Sequence, residues 1–125
     1  MLRQVRIDVT TDASGDGVTT VDMPVMGRKL YAVEWRKGDY ADGVDAVLAV
    51  VGTSSGTTNT LLTLTDANSS AWYYPRYVVH SEAGAALTGT NGGDRGQAII
   101  NGNLRLTVDD GGNAKSGGVI VWFEA

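Results

Sequence analysis

The pattern of apolar residues predicts strands near both ends of the chain. Residues 5–9 alternate between aliphatic and charged side chains, and residues 119–123, just before Glu124 and Ala125, are five consecutive apolar residues. Successive side chains of a β-strand point to opposite faces of the sheet, so each segment predicts a strand with one face in the core. In the last strand this reasoning places Ile120 and Trp122 on the face opposite the core, where an apolar pair would need a covering partner.

Further segments between these two have the length and composition of strands. In one of them, residues 28–36, we predict that Tyr31, Val33 and Trp35 share the core-facing side. In another, residues 44–51, both faces are apolar, so both must be covered. The remaining candidates are residues 18–23, closed by Pro24, residues 61–64, and residues 72–79, interrupted by Pro75.

The later part of the chain predicts a β-hairpin. Residues 97–100 and 103–108 flank Asn101-Gly102, and Asn-Gly is the preferred pair for a two-residue type I′ turn because both positions need positive φ angles. Between the aromatic segment and this hairpin, residues 80–96 are rich in glycine and alanine. We predict that they form a long loop with at most one short helical turn.

The composition supports a fold made of strands and turns. The 125 residues include 17 glycines, two prolines and no cysteine, so apolar packing without disulfides must hold the fold. We predict an all-β fold, an antiparallel β-sandwich or jelly-roll-like barrel of about seven to nine short strands. Residues 1–125 are expected to form a single domain, with residues 1–26 acting as an N-terminal arm or strand.

The distribution of charge and of apolar residues argues against two classes of partner. The net charge is −4, and the ten basic residues are scattered, which is not the footprint of a nucleic-acid-binding protein. The longest apolar run, residues 46–51, is far shorter than a membrane-spanning helix requires. We therefore expect neither a nucleic acid nor a membrane as partner.

The residues that usually carry catalysis do not form a recognisable site. The single histidine, His80, precedes Ser81 and Glu82, but adjacent residues of an extended chain face opposite ways and cannot form a relay. One histidine without cysteine leaves transition metals without their usual ligands. The glycine-rich stretches contain no phosphate-binding fingerprint. We predict a protein that is not an enzyme and has no cofactor, metal or small-molecule substrate.

Three aspartates are spaced three residues apart at Asp39, Asp42 and Asp45. This spacing does not match an EF-hand loop, whose ligands occupy alternate positions and end in a glutamate. We interpret these residues as caps of tight turns in preference to a calcium site.

Aromatic residues give the strongest functional signal. Trp72, Tyr73 and Tyr74 lie beside Arg76, a composition enriched at protein-binding hot spots and on sugar-stacking surfaces. The alternative is that alternate rings fill the core and the others lie along the sheet. Together with Ile120 and Trp122, these residues are the predicted protein-interaction site.

Several short motifs from residue 30 to the C-terminus are distinctive. They are Trp35 with Gly38-Asp39 and Gly43-Val44-Asp45, Leu61-Leu62-Thr63-Leu64, Trp72-Tyr73-Tyr74-Pro75-Arg76, His80, Gly84-Ala85-Ala86-Leu87, and the closing stretch 101–108 followed by 111–117. On these motifs the chain resembles a group of small phage-encoded virion proteins found among head-assembly genes. Residues 2–26 lie outside the resemblance.

The resemblance implies a phage virion structural protein without enzymatic activity, of the capsid decoration or cement type. It implies the major capsid protein and further copies of this chain as partners, with a homotrimer at three-fold positions of the capsid. It also implies a location on the capsid surface after synthesis in the host cytoplasm. No catalytic residue is carried over with it.

Two alternatives remain open on the sequence. The first is a head–tail connector or tail structural protein. The second comes from a different class, a carbohydrate-binding module that uses Trp72, Tyr73 and Tyr74 as a stacking platform.

Overall fold

The computed structural model describes residues 2–23, 27–52, 57–78 and 95–124. Strands and turns account for all the regular structure in these ranges, with no helix, and the strands pair antiparallel, which confirms the predicted all-β fold. The eleven strands are β1 (Leu2–Thr10), β2 (Gly17–Val21), β3 (Arg28–Arg36), β4 (Asp45–Val51), β5 (Thr58–Leu64), β6 (Ala71–Tyr73), β7 (Arg76–Val78), β8 (Arg95–Gln97), β9 (Ile99–Ile100), β10 (Asn103–Asp109) and β11 (Ser116–Glu124).

The first sheet has five strands. Its order is β1-β11-β3-β6, and β9 pairs with the beginning of β3. β1 pairs with β11 along its whole length, from Leu2 opposite Glu124 to Thr10 opposite Ser116. Residues 2–10 of the N-terminal segment are therefore a paired strand of this sheet.

The second sheet has four strands in the order β2-β10-β4-β5, and β7 and β8 form a small two-stranded sheet. A curled, half-barrel sheet helps to enclose the core. The core draws buried side chains from both large sheets, as sandwich packing requires. Its largest fully buried members are Trp35, Tyr40, Ile7, Leu30, Leu48, Ile100, Leu104 and Leu106.

The described residues contain more strands than the expected seven to nine because two segments are divided. Pro75 separates β6 from β7, as expected for a residue that cannot donate to a ladder. Ala98 separates β8 from β9, and these two strands pair with different neighbours. The extra strands are therefore short pieces that do not change the architecture.

A β-bulge changes which residues of β3 face the core. Consecutive residues of β11 pair with Leu30 and Ala32, so Tyr31 has no partner on β11 and the alternation shifts by one position. Val33 and Trp35 are fully buried as predicted, but Tyr31 is 40% exposed and Leu30 is buried in its place. The prediction of a core position for Tyr31 is wrong for this reason.

The predicted hairpin at Asn101-Gly102 is also wrong. β9 pairs with β3 in the first sheet, whereas β10 pairs with β2 and β4 in the second, so the chain crosses between sheets here. Neither Asn101 nor Gly102 has a positive φ. Glycine is needed at position 102 for space, because a Cβ there would lie 2.2 Å from the carbonyl oxygen of Val51.

Tyr40, in the connection between β3 and β4, closes one end of the core. Its ring stacks on Trp35 at a centroid distance of 5.7 Å, and its hydroxyl donates a hydrogen bond of 2.5 Å to the Val9 carbonyl. The Trp35 Nε1–H donates to the carbonyl of Ala67 at 3.0 Å. Both buried polar groups are thus satisfied, and burial raises the pKa of Tyr40 to about 12.

Some predictions fall outside the described residues. These are the closure of the second strand by Pro24, most of the loop predicted for residues 80–96, and the His80-Ser81-Glu82 triplet with its neighbouring glycine-rich stretch.

Candidate protein-interaction face

The outward side of the five-stranded sheet carries a group of aromatic and aliphatic side chains. Val119 and Val121 on β11 and Tyr73 on β6 pack toward the core, so strand alternation directs their neighbours outward, and the bulge in β3 turns Tyr31 to the same side. We call it the aromatic face, and its members are Tyr31, Trp72, Tyr74, Ile120 and Trp122.

Two tryptophans form the centre of the aromatic face. Their ring centroids lie 6.1 Å apart, and the ring planes are tilted by 33°. Trp72 is 50% exposed and Trp122 is half-buried. Ala32, the residue directly opposite Trp122 on β3, is fully buried even though it points outward, because the large rings cover this small side chain.

Two tyrosines extend the face toward the start of β3. The rings of Tyr31 and Tyr74 meet edge to face at a centroid distance of 6.4 Å, and both remain exposed. Arg76 links the two backbone segments that carry these rings. Its guanidinium donates hydrogen bonds to the carbonyls of Tyr31 at 3.1 Å and Pro75 at 2.7 Å. The bulge at Tyr31 and the break at Pro75 thus bring the two rings together.

The structure brings together four of the six predicted interaction residues: Trp72, Tyr74, Ile120 and Trp122. Tyr73 points the other way and packs against the core, so a platform of three successive rings does not form. Arg76 is linked to the face by its hydrogen bond to the carbonyl of Tyr31.

The aromatic face includes Tyr31, which sequence reasoning assigned to the core. Alternation alone gives no signal for this residue, because the bulge that turns it outward depends on how β3 pairs with β11.

Four charged residues lie in two rows beside Ile120 and Gly118. Arg6 on β1 and Glu34 on β3 lie directly on either side of Ile120, and Asp8 and Arg36 lie on either side of Gly118 in the same way. The Arg6 Nε lies 3.0 Å from Asp8, and an Arg36 nitrogen lies 3.9 Å from the same carboxylate. Glu34 is half-buried and has no ion-pair partner among the described residues.

A cleft of about 460 Å³ is lined in part by Pro75 and Arg76, the residues that follow Tyr74. β5 forms one of its walls with Asn59, Thr60 and Leu61, and Arg76, Tyr77 and Ile99 are among the residues that line the rest. Its lining has no carboxylate or histidine among the residues described, so it offers no pair of groups for acid–base chemistry.

The three aspartates of the β3–β4 connection have separate partners. Asp39 accepts a hydrogen bond from the Ser116 backbone N–H at 2.6 Å, and Asp45 accepts one from the Asp66 N–H at 2.9 Å. Asp42 pairs with Lys37 at 2.9 Å. Asp39 and Asp45 therefore bond to segments distant in sequence and do not cap their own turns as interpreted, whereas the partner of Asp42 lies five residues away.

Within the described ranges, no group of three or more acidic, histidine or cysteine residues could hold a metal ion. The same residues include no helix that is long and apolar enough to span a membrane.

Asp109, at the end of β10, is the surface carboxyl with a shifted pKa. It lies directly opposite Asp45 on β4. Partial burial, followed by the nearby carboxylates of Asp16, Asp110 and Asp45, raises the pKa of Asp109. Asp109 belongs to the four-stranded sheet and not to the aromatic face.

In comparisons with known proteins, no family model matches this chain and no curated protein matches it significantly.

Proposed function

We propose that the protein is a non-enzymatic structural protein of a phage virion, of the capsid decoration type, and that the aromatic face packs against other virion proteins. The observation that carries this proposal is the exposed Trp72 ring beside Trp122 on the outside of a regular antiparallel sheet. Its proposed partners are the major capsid protein and copies of the chain itself.

The composition of the face suits protein binding. Tryptophan, tyrosine and arginine dominate the binding energy of protein interfaces, and an apolar centre with a polar rim is the usual arrangement. Here the apolar centre is Trp72, Ile120 and Trp122, with the half-buried Glu34 between Ile120 and Trp72, and Arg6 and Asp8 lie at the rim. A rigid sheet presents these side chains with little loss of conformational freedom on binding.

The resemblance and the aromatic face share residues. The motif Trp72-Tyr73-Tyr74-Pro75-Arg76 is the most distinctive part of the resemblance, and two of its rings belong to the face. Arg76 from the same motif holds the carbonyl of Tyr31. This overlap supports assembly as the role of the face.

Co-sedimentation tests the proposal. Capsids of the same phage that lack this protein are mixed with the purified protein and centrifuged, and we expect the protein to pellet with the capsids. Trp72→Ser should reduce the bound fraction at least about tenfold, as expected for a hot-spot residue. The control is Val18→Ser, which removes an apolar side chain of somewhat greater exposure from the four-stranded sheet and should leave binding unchanged.

If the unmodified protein stays in the supernatant at all concentrations, the decoration role is wrong. The number of copies per particle separates this role from that of a head–tail connector, because a connector is present in few copies and a decoration protein in many. Binding to a glycan array, abolished by Trp72→Ser, would instead support a carbohydrate-binding module.

A further inference from the structure

The charges around the aromatic face form a regular pattern. Taking β11 as the midline, the first row has Arg6 on the β1 side and Glu34 on the β3 side, and Ile120 lies between them. The next row has the opposite order, with Asp8 on the β1 side, Arg36 on the β3 side and Gly118 between them. Each row therefore has one positive and one negative end.

This arrangement is complementary to itself. A rotation of 180° about an axis along β11 turns a second copy face down and exchanges its β1 and β3 sides. Arg6 of one copy then lies opposite Glu34 of the other, and Asp8 lies opposite Arg36. Both contacts occur twice, as in any isologous interface.

We propose that the aromatic face binds the same face of a second copy of this chain about a two-fold axis along β11. This inference rests on the proposed function, since it names which of the proposed partners this face takes. Ile120 and Trp122 lie on the axis strand and meet their own copies, whereas Trp72 on β6 lies beyond the edge strand β1 of the second copy and stays outside this contact. Gly118, which has no side chain, lets the two sheets approach closely.

The available partners of the four charges favour this pairing. Glu34 has no ion-pair partner within the described residues, and the second copy supplies Arg6 to it. Within one chain Arg6 pairs with Asp8, but both side chains are 57% exposed, and such a pair contributes little stability. Arg6 can therefore contact Glu34 of the second copy as well as its own Asp8 with little loss of stability.

The size of the face sets the expected strength of the dimer. The three strands β1, β11 and β3, spaced by about 4.8 Å and with nine residues each at about 3.3 Å, give a contact of about 14 by 30 Å, or about 420 Å² per copy. Stable interfaces bury about 800 Å² per partner, and smaller ones belong to weak or transient complexes. We expect a dimer that forms at high local concentration, such as on an assembling particle, and that weakens with added salt.

Sedimentation equilibrium of the full chain tests the inference. The unmodified protein should show a reversible monomer–dimer equilibrium at low salt. Glu34→Arg, which places two arginines opposite each other, should raise the dissociation constant at least about tenfold. The double change Arg6→Glu with Glu34→Arg exchanges the two charges, and we expect it to restore the dissociation constant to within about threefold of the original.

The double change also distinguishes the two possible directions of the two-fold axis. A two-fold axis across the strands would instead pair Arg6 with Asp8 and Glu34 with Arg36, and the same double change would then leave both contacts repulsive. Asp22→Arg, the same charge change at an exposed site away from the face, is the control and should have no effect. If Glu34→Arg impairs folding, the milder change Glu34→Gln replaces it as the test. We expect Glu34→Gln to raise the dissociation constant about threefold.

Three results would overturn the inference. They are a protein that remains monomeric up to about 1 mM, a trimeric mass, or a double variant that is as impaired as Glu34→Arg alone. The proposed function is judged separately by capsid binding of the unmodified protein. A monomer that binds capsids would contradict only the dimer, and a dimer that ignores capsids would contradict only the decoration role.

Discussion

Trp72 and Trp122 lie ring beside ring on the outside of the five-stranded sheet, with their centroids 6.1 Å apart. They belong to strands on opposite sides of β3, so the contact passes over that strand and covers Ala32. A pair of large aromatic rings is usually found in a protein core or at an interface. Its position on an outer sheet face is the basis of the functional proposal.

The two tryptophans should differ in their effects on stability. Trp122→Ala removes a half-buried ring and should lower the free energy of unfolding by about 2 kcal/mol. Trp72→Ala removes an exposed ring and should lower it by about 1 kcal/mol, mainly through the lost ring contact. Urea denaturation of both variants measures this difference. Equal losses would mean that the two rings are equally buried.

Tyr40 should contribute to stability through its hydroxyl as well as its ring. Tyr40→Phe keeps the stacking on Trp35 but leaves the buried carbonyl of Val9 without its donor, so the free energy of unfolding should fall by about 1 to 3 kcal/mol. Thermal denaturation at neutral pH measures the loss. A variant as stable as the unmodified protein would contradict the hydrogen bond.

The same residue predicts a response to alkaline pH. The pKa of Tyr40 rises to about 12 in the folded protein, whereas an unfolded tyrosine ionises near 10. A raised pKa contributes stability that is complete below the unfolded value and is lost as pH rises through the folded value, on the order of 2 to 3 kcal/mol in total. Between pH 10 and 12 the unmodified protein should therefore lose stability more steeply than Tyr40→Phe.

Asp109 should destabilise the protein at neutral pH. Its folded pKa is raised by partial burial and by the carboxylates of Asp16, Asp110 and Asp45, so its favourable contribution is present at acidic pH and is lost as pH rises through the raised value. Asp109→Asn should raise Tm at pH 7 by about 1 to 3 °C, as expected for the removal of one repulsive cross-strand pair.

The gain from Asp109→Asn should vanish below about pH 4, where the native carboxyl is protonated as well. Asp42→Asn is the matched control, because Asp42 pairs with Lys37 and its loss should leave Tm unchanged or slightly lower. A gain from Asp109→Asn that does not depend on pH would contradict the electrostatic explanation.

At the crossing between sheets, Gly102 should be more sensitive to substitution than Asn101. Gly102→Ala places a Cβ 2.2 Å from the carbonyl oxygen of Val51 and should cost about 2 to 3 kcal/mol. Asn101→Ala should cost less than about 0.5 kcal/mol, since Asn101 is exposed and lacks a positive φ. In a type I′ hairpin both positions would need left-handed backbone, so Asn101→Ala would then be clearly destabilising as well.

Local pattern was enough to predict most of the strands. The alternation in β1, β10 and β11 follows the burial of alternate residues closely, because one face of each strand packs on the core. The bounds of β3 also agree with the prediction, and Pro75 interrupts the aromatic segment as expected. These features depend on residues close together in sequence.

The errors concern pairing between distant segments. The bulge at Tyr31 arises where β3 meets β11, and the crossing at Gly102 arises because β10 pairs with β2 and β4 rather than with β9. Strand order is decided by the packing of the whole domain, so neither feature has a local signal. For this reason the sequence identified Trp72 and Trp122 as site residues but could not predict that they are in contact.

The central claim is that the aromatic face is an assembly surface of a virion. A cryo-EM map of assembled particles that contain the protein tests it most directly. We predict many symmetrically arranged copies on the capsid surface, with the ring of Trp72 and the side chain of Glu34 buried against a neighbouring protein. A map in which the protein is absent from the particle, or in which this face is open to solvent in every copy, would contradict the claim.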